Sequence, residues 1–591
     1  MENKIKLYTV SIFVFFISVS FSASADTLGQ NQRFFISSQY DAQSRESTSA
    51  TLRHVSEHAY FYIADDYWNV ISTNARNQVL NKVEIIAREF DGRIYPIETQ
   101  FFGSEPNPGI DGDSRITILM APLIENAGGY FDAVNQYSIS EANNSNQREI
   151  IYLNVKEVAD QARMFIFLAH EFQHLISFNQ KEKLRNIYDD IWLNELRSEY
   201  APTLLGYNDI FLGSNLEKRS LDLSDAPSDS LTEWKNLPAD YGQIGMFSEY
   251  IAEHWSPQVI ADTLKNNLKS IPSFNYALSQ NGFSDNFTDV YRDWLISNYL
   301  NDDSYNGKFG YSRIDLANFK VSATKTLSNL DDNAAFLVSG SIKDWQGRWY
   351  DLIQLAPGQK NVLKISFTSS SLASFYVPYV VFDSTGKHQL YIFNPTPSSN
   401  AIYVSNIGAD VRRVLILPIK KDKLSNFFIN ETSVRLDTTF ERVASVPSII
   451  SAPVSVMADS VPSVSDTKYE IPKNNFPDGS LIRARGDYKV YVVKGKWRRH
   501  IIDSRIFNFY PGLGFEKVTE VEPSILNQYQ ESDLVRYADS QRVYSIDKIG
   551  VRHWLDISGA QFTASGRAWD AIFEVNIREL NFYKIGTSIV E

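Results

Sequence analysis

The stretch Gln161–Gln180, QARMFIFLAHEFQHLISFNQ, contains the most informative motif of the chain. Its apolar residues recur every three or four positions, which predicts a helix buried along one side. His170 and His174 lie four positions apart, so one helical turn places them above each other, where both can bind one metal ion. Glu171 is placed to hold a metal-bound water without ligating the ion. The alternative is a pair of histidines in an ordinary core.

A second predicted helix, Ile191–Ala201, supplies a candidate third ligand. A catalytic zinc normally has three protein ligands and one water. Glu195 follows His174 by 21 positions and is the candidate. Glu199 lies one turn later on the same face, where it can accept a hydrogen bond from the second nitrogen of a ligating histidine. The alternative is an acidic helix face exposed to solvent.

The composition narrows the class of protein. At 591 residues the chain is long enough for about three domains. Hydrophobic residues make up 43% of it, as in folded globular proteins. The net charge of -13 argues against a nucleic-acid-binding protein, which needs a basic surface to displace counterions. Because the chain contains no cysteine, any zinc is held by imidazole and carboxylate groups.

The first residues have the pattern of a signal peptide. Basic residues precede the apolar run Leu7–Phe21, and small residues follow at Ala23–Ala25. We therefore expect residues 1–25 to be a signal peptide and Asp26 to begin the mature protein. The chain is then secreted, extracellular or associated with the cell surface, and no transmembrane segment remains. The alternative, an uncleaved anchor, needs a longer apolar run of ~20 residues.

A glycine pair marks a candidate substrate-binding strand. Gly128 and Gly129 precede Tyr130, and glycine lets a backbone approach another chain closely. An exposed edge strand at this position can pair with an extended peptide. The alternative is a hairpin without a role in substrate binding.

These motifs resemble a known family. The segment His170–His174 (HEFQH) followed by Trp192–Glu199 (WLNELRSE) resembles the gluzincin clan of zinc metallopeptidases, and its Asn-Glu-x-x-Ser-acid pattern is similar to the thermolysin-like enzymes. Residues 50 to 300 look most like the hyicolysin-type neutral metallopeptidases. Three upstream segments add to that likeness: His54–His58 (HVSEH), Gly129–Phe131 (GYF) and Asn146–Tyr152 (NQREIIY).

The resemblance implies an α+β zincin-like domain over residues 26–325. It implies one zinc ion held by His170, His174 and Glu195, with Glu171 as the catalytic base. The implied activity is a zinc-dependent endopeptidase that hydrolyses peptide or protein substrates. The alternative from another class is a surface-binding protein or adhesin with an inactive peptidase-like domain.

Two residues are candidates for stabilising the oxyanion that forms during peptide hydrolysis. Tyr241 resembles the tyrosine that begins the corresponding helix in aminopeptidase-like gluzincins. His254 is the thermolysin-style alternative. A donor aimed at the developing negative charge is what this reaction needs, and we prefer Tyr241.

The sequence of the C-terminal half predicts two further domains. Alternating apolar residues over 335–440 predict an antiparallel β-sandwich similar to the pre-peptidase C-terminal modules. Residues 441–475, rich in Ser, Pro and Val, read as a linker. Residues 476–591 contain two tandem repeats, 479–531 and 532–588, of one small β-rich unit.

The repeats are aligned at an offset of about 53 residues. This offset pairs Arg499 with Arg552 and His500 with His553. Contact with a cell wall or a glycan is the role expected for these repeats, and a purely structural appendage is the alternative.

Overall fold

The computed structural model describes most of the chain in two compact units. The first contains residues up to Ala87 together with Pro106–Ala159, and the second contains Arg88–Glu105 and the chain from Asp160 on. The described residues are 25–302, 308–369, 374–396, 400–421, 433–447, 454–456, 476–485, 489–510, 514, 517–537, 540, 542–547 and 550–590.

The first unit is built on one mixed sheet. Its elements are β1 (Asn31–Phe35), β2 (Ser47–Val55), β3 (Ala59–Ala64), α1 (Asp65–Val70), α2 (Thr73–Glu89), β4 (Ile116–Ala121), β5 (Gly129–Phe131) and β6 (Ile150–Asn154). The strand order is β1-β2-β3-β4-β6-β5, with β3, β4 and β6 parallel and the other neighbours antiparallel. The three parallel strands are buried along their whole length, which explains their unbroken apolar sequences.

The predicted substrate strand lies at one end of this sheet. Strand β5 pairs with β6 and follows it in the strand order. The Tyr130 side chain is buried and stacks on Tyr152, with 4.2 Å between ring centroids. Contacts from β5 to a peptide would therefore use its backbone rather than this side chain.

The second unit begins with a group of helices. They are α3 (Tyr95–Phe102), α4 (Gln161–Ser177), α5 (Ile191–Leu204), α6 (Asn215–Asp225), α7 (Pro238–His254), α8 (Pro257–Asp262), α9 (Ser270–Gln280) and α10 (Phe287–Leu300). Helix α4 continues into a π-helical segment, Phe178–Lys183. The helices predicted at 161–180 and 191–201 are thus present, and α5 runs one turn further than expected.

A β-sandwich follows the helices. Its strands are β7 (Lys325–Ser328), β8 (Ala335–Lys343), β9 (Tyr350–Ile353), β10 (Val362–Ser369), β11 (Phe375–Asp383), β12 (His388–Phe393), β13 (Ala401–Val404), β14 (Val411–Ile416), β15 (Ile419–Lys420), β16 (Ser433–Val443) and β17 (Val454–Val456). One sheet has the order β13-β10-β16-β8, and the other has β17-β12-β11-β14-β9-β7 with β15 beside β11. One apolar core lies between the two sheets. The ring centroids of Tyr350 in one sheet and Phe440 in the other are 6.5 Å apart.

The sandwich extends beyond the predicted range of 335–440. Strand β7 precedes it and runs parallel to β9, although its sequence KTLS has no apolar alternation. Strand β17 pairs with β12 inside the segment 441–475 that the sequence predicts as a linker. Residues 448–453 and 457–475 of that segment lie outside the described residues.

A turn of the sandwich is anchored in the helical part of the second unit. Trp345 is buried and contacts the rings of Phe287 and Tyr291, at 4.7 and 5.7 Å between centroids. The backbone N–H of Leu231 and the hydroxyl of Tyr291 donate to the Trp345 carbonyl, at 3.0 and 2.6 Å. Lys343 pairs with Glu233 of the same loop. The sandwich therefore braces the loop that leads into α7.

The C-terminal region contains two sheets of equal design. The elements are β18 (Leu481–Ala484), β19 (Tyr491–Lys494), β20 (Trp497–His500), β21 (Val518–Val521), α11 (Pro523–Leu526), β22 (Gln530–Glu531), β23 (Leu534–Tyr537), β24 (Val543–Ile546), β25 (Val551–Trp554), α12 (Gly559–Ala564), β26 (Phe573–Val575), α13 (Ile577–Phe582) and β27 (Lys584–Ile585). The strand orders are β21-β18-β19-β20-β22 and β26-β23-β24-β25-β27, with parallel outer strands in both.

The strand register corrects the alignment of the repeats. Val493 pairs with Arg498, and its counterpart Ile546 pairs with Arg552. Arg498 is therefore the equivalent of Arg552, and the predicted match between Arg499 and Arg552 was wrong by one residue. The hairpin of the second repeat is one residue longer than that of the first. The offset between equivalent residues is therefore 53 before the hairpin and 54 after it. His500 and His553 are consequently not equivalent.

The described part of the chain contains no helix that is long and apolar enough to cross a membrane. Residues 1–24 of the predicted signal peptide lie outside the described residues.

Candidate metal centre

Helix α4 presents its two predicted ligands on one side. Asp160 caps the first turn by accepting a hydrogen bond from the Arg163 backbone N–H at 3.1 Å. The rings of His170 and His174 lie 4.9 Å apart between centroids, as expected one turn apart on a helix. The apolar side of the helix buries Met164, Leu168, Phe172, Leu175 and Ile176.

Three donor atoms from α4 and α5 converge. Oε2 of Glu195 lies 3.3 Å from Nε2 of His170 and 3.6 Å from Nε2 of His174, and the three residues offer ligand atoms within 4.8 Å of one another. Ligands at about 2.0–2.1 Å from a tetrahedral zinc lie roughly 3.3–3.5 Å apart. Oε2 is buried and has no hydrogen bond of standard geometry to the described residues. This donor set and its spacing fit zinc.

The charges of the three residues depend on one another. Burial by itself raises the pKa of Glu195, but the His174 and His170 imidazoles lower it to about 2. Burial likewise lowers the pKa of His170, while hydrogen bonding to Glu195 and Glu199 raises it well above its usual value. The carboxylates and the imidazoles therefore stabilise each other's charged forms.

Glu199 lies beside His170, as the sequence predicts for a residue that orients a ligand. Its Oε1 is 3.4 Å from Nδ1 of His170. Arg219 of α6 donates two hydrogen bonds to this carboxylate, Nε to Oε2 at 2.6 Å and Nη2 to Oε1 at 2.8 Å. Burial raises the pKa of Glu199, but Arg219 and His170 lower it more. Glu199 therefore stays ionised.

The other candidate ligand, His174, is oriented by uncharged groups. Nδ1 of His174 lies 3.1 Å from Oγ of Ser198, and Ser198 donates to Oε1 of Gln173 at 2.6 Å. Nε2 of Gln173 donates to Oγ of Ser177 at 2.9 Å. Sequence reasoning did not assign a role to Ser198 or Gln173, although Ser198 belongs to the Asn-Glu-x-x-Ser-acid pattern.

The pKa of Tyr241 responds to three carboxylates of the candidate site. Burial first, and then the carboxylates of Glu195, Glu199 and Glu171, raise the pKa of Tyr241 far above its usual range. The phenol therefore stays protonated and can donate a hydrogen bond. Here it donates to Oδ1 of Asn236 at 2.7 Å.

His254 lies at the other end of α7. It follows Tyr241 by thirteen positions of the same helix, which corresponds to ~20 Å. Nε2 of His254 lies 2.8 Å from the carbonyl oxygen of Gly310 and donates to it. Tyr241 thus contacts Arg219, which binds Glu199, whereas His254 lies at the far end of the same helix.

A buried carboxyl near His170 has no signal in the sequence. Glu98 of α3 is fully buried, and neither of its oxygens has a hydrogen-bond partner among the described residues. Burial raises the pKa of Glu98 well above its usual value, and the charge of His170 opposes this only in part.

Comparison with known proteins identifies one curated relative. The chain is 27% identical over 229 residues to the neutral metalloprotease ShpI of Staphylococcus hyicus. The match covers 35% of this chain and 48% of the relative, so the chain spans about half the length of the protein that it matches. No family model matches the chain.

Solved structures show only distant likenesses. The catalytic module of the metalloprotease ZmpA from Clostridium perfringens aligns with a TM-score of 0.21 and 9% identity over 59% of this chain and 67% of that module. The Yersinia pseudotuberculosis-derived mitogen aligns with a TM-score of 0.15 and 8% identity over 20% and 98% of the two chains. Scores this low carry no argument about the fold. The sequence match confirms the predicted resemblance to a neutral metalloprotease.

Proposed function

We propose that the chain is a secreted zinc-dependent endopeptidase that hydrolyses peptide bonds. The observation that carries this proposal is the convergence of Nε2 of His170, Nε2 of His174 and Oε2 of Glu195. Glu171 directly follows the first histidine on the same helix, and its carboxylate acts on the charge of His170. The relation to a neutral metalloprotease agrees with this chemistry.

A bound zinc would polarise the peptide carbonyl and lower the pKa of its water to near 7. Glu171 would accept the proton of that water and deliver it to the leaving amine. Tyr241 would turn its hydroxyl from Asn236 to the oxyanion, which forms next to the same carboxylates. Glu199 and Ser198 would hold the two imidazoles in place.

The substrate would be an extended peptide. Strand β5 lies at the end of its sheet, so its backbone is suited to pair with a further strand. Gly128 and Gly129 add no side chain that would keep a peptide away. We assign this role to the backbone of Gly128, Gly129 and Tyr130, because the Tyr130 ring is buried.

Secretion and surface contact belong to the same proposal. The N-terminal pattern indicates export, and the absence of cysteine is compatible with an oxidising compartment. The two C-terminal sheets would provide contact with a wall or glycan.

The experiment is zinc content and casein cleavage of the chain from Asp26 to Glu591, beside its Glu171→Gln variant. We expect about one zinc in both proteins and cleavage by the first alone. Zinc without cleavage in the first protein would favour a surface-binding protein with an inactive site. A protein without zinc would overturn the ligand assignment.

A further inference from the structure

The guanidinium of Arg219 connects two groups that the proposed reaction uses separately. Its edge holds both oxygens of Glu199, whose Oε1 lies 3.4 Å from the ligating His170. Its face lies against the Tyr241 ring, with 4.6 Å from the guanidinium carbon to the ring centroid. One planar cation thus contacts the carboxylate behind the metal ligand and the phenol that would bind the oxyanion.

Other contacts fix the guanidinium in this orientation. Arg219 is 8% exposed, and its Nη1 donates to Oδ2 of Asp222 at 3.2 Å. Asn215, one turn earlier on α6, donates to Oε2 of Glu199 at 3.0 Å. A lysine could not reproduce this arrangement, since an ammonium has neither the second edge nor the flat face.

Two glycines of α7 let α6 approach closely enough. A Cβ at Gly242 would lie 2.6 Å from the backbone nitrogen of Leu223, and a Cβ at Gly245 would lie 2.8 Å from Cγ of Arg219. Gly242 therefore lets the α6 backbone approach α7, and Gly245 leaves room for the Arg219 stem. This gives a physical role to the sequence Tyr241-Gly242-Gln243-Ile244-Gly245.

We propose that Arg219 is a positioning residue that sets the Glu199 carboxylate behind His170 and the Tyr241 ring beside the reaction site at the same time. This inference rests on the proposed zinc peptidase function. It predicts that zinc affinity depends on Arg219 through Glu199, and that turnover depends on Arg219 through Tyr241. Arg219 acting only as structural support would show neither dependence.

The first test is a double-mutant cycle in zinc affinity, measured on the full chain by competition with a fluorescent chelator. Arg219→Gln and Glu199→Gln should each weaken zinc binding about 10–100-fold. The double variant should bind zinc no more weakly than either single variant, because the two substitutions remove the same interaction. Unchanged zinc affinity in Arg219→Gln, or losses that multiply in the double variant, would overturn the link through Glu199.

The second test uses kcat at saturating zinc. Arg219→Gln should lower kcat in the wild-type background and leave it unchanged in a Tyr241→Phe background. An equal fall in both backgrounds would overturn the link through Tyr241. Arg219→Lys keeps the positive charge and should retain only part of the zinc affinity and of the kcat that Arg219→Gln loses.

Gly245→Ala provides an independent variant if Arg219→Gln does not fold. Its methyl group would push the Arg219 stem aside, so zinc affinity and kcat should both fall. The matched control is Gly92→Ala, a helical glycine with open space around its Cβ position. Equal zinc affinity and kcat in the two alanine variants would contradict the inference. A wild-type chain that binds no zinc would instead refute the proposed function itself.

Discussion

Nδ1 of His174 lies 3.1 Å from Oγ of Ser198, whose own hydrogen is directed to Oε1 of Gln173 at 2.6 Å. A serine hydroxyl has one hydrogen, so with that hydrogen given to Gln173 it can only accept from His174. Nδ1 of His174 therefore carries a proton, which leaves Nε2, on the side of Glu195, as the ring nitrogen that can bind a metal ion.

Removing the Ser198 hydroxyl should weaken zinc binding. We expect Ser198→Ala to raise the zinc dissociation constant about tenfold, because His174 loses the acceptor that selects its tautomer. Chelator competition measures this constant without recourse to activity. Ser248→Ala is the matched control, because Ser248 is a buried serine of α7 whose hydroxyl donates to the carbonyl of Gly245. Equal dissociation constants in the two variants would contradict the role of Ser198.

Tyr241 and His254 should differ in their effect on catalysis. Tyr241→Phe removes the proposed oxyanion donor, and we expect a fall in kcat of about 10²–10³ with zinc content unchanged. His254→Ala removes a hydrogen bond to Gly310 at the far end of α7, so it should affect stability more than kcat. Peptide hydrolysis by both variants, beside their zinc content, checks the assignment. A larger fall in kcat for His254→Ala would reverse it.

Asp240, at the start of α7, should make stability depend on pH. Burial, and then the nearby Asp229, raise the pKa of Asp240 to about 6. A carboxyl that titrates near 3.8 when unfolded and near 6 when folded binds its proton more tightly in the folded state. The free energy of unfolding therefore falls as pH rises from about 4 to about 6, by at most about 3 kcal/mol.

Asp240→Asn carries no such proton, and its amide oxygen can still accept from the Leu237 and Lys235 backbone N–H groups. The free energy of unfolding of the variant, relative to that of wild type, should therefore increase from about pH 4.5 to about pH 6.5. Urea unfolding of both proteins with a chelator present measures the difference. A difference that is the same at both pH values would contradict the prediction.

Trp345 should stabilise the helical part of the second unit although it lies in the sandwich. Trp345→Ala removes a buried ring from between Phe287 and Tyr291, and we expect a loss of about 3–5 kcal/mol in the free energy of unfolding. Trp569→Ala, at a ring that is 54% exposed, is the control and should cost less than about 1 kcal/mol. Similar losses from the two substitutions, measured by urea unfolding, would show that the sandwich does not brace the helices.

The sequence predicted the elements that its local pattern specifies. The helix predicted over 161–180 is α4 with its π-helical continuation, and α4 begins where Asp160 can cap it. Apolar spacing and capping act within a few residues, so a single segment carries their signal. The four-residue spacing of His170 and His174 is of this kind.

Contacts between distant segments could not be predicted in this way. Arg219 appears in the sequence as one of several charged residues on an amphipathic helix, and only the tertiary fold brings it from α6 to Glu199 on α5. Strand β7 lacks apolar alternation and exists because β9 offers it hydrogen bonds. The repeat alignment failed at a hairpin whose extra residue matters only once strands are paired.

The bracing of the loop before α7 has a consequence for the order of events during synthesis. Ser230 donates to the carbonyl of Asp344 at 2.8 Å, and Trp234 packs edge-to-face on Tyr241 at 4.9 Å between centroids. A ribosome releases the chain in sequence order, so every residue of the proposed active site emerges before the segment that steadies Tyr241. The newly made protein would thus acquire its hydrolytic competence late, when most of the polypeptide has already left the ribosome.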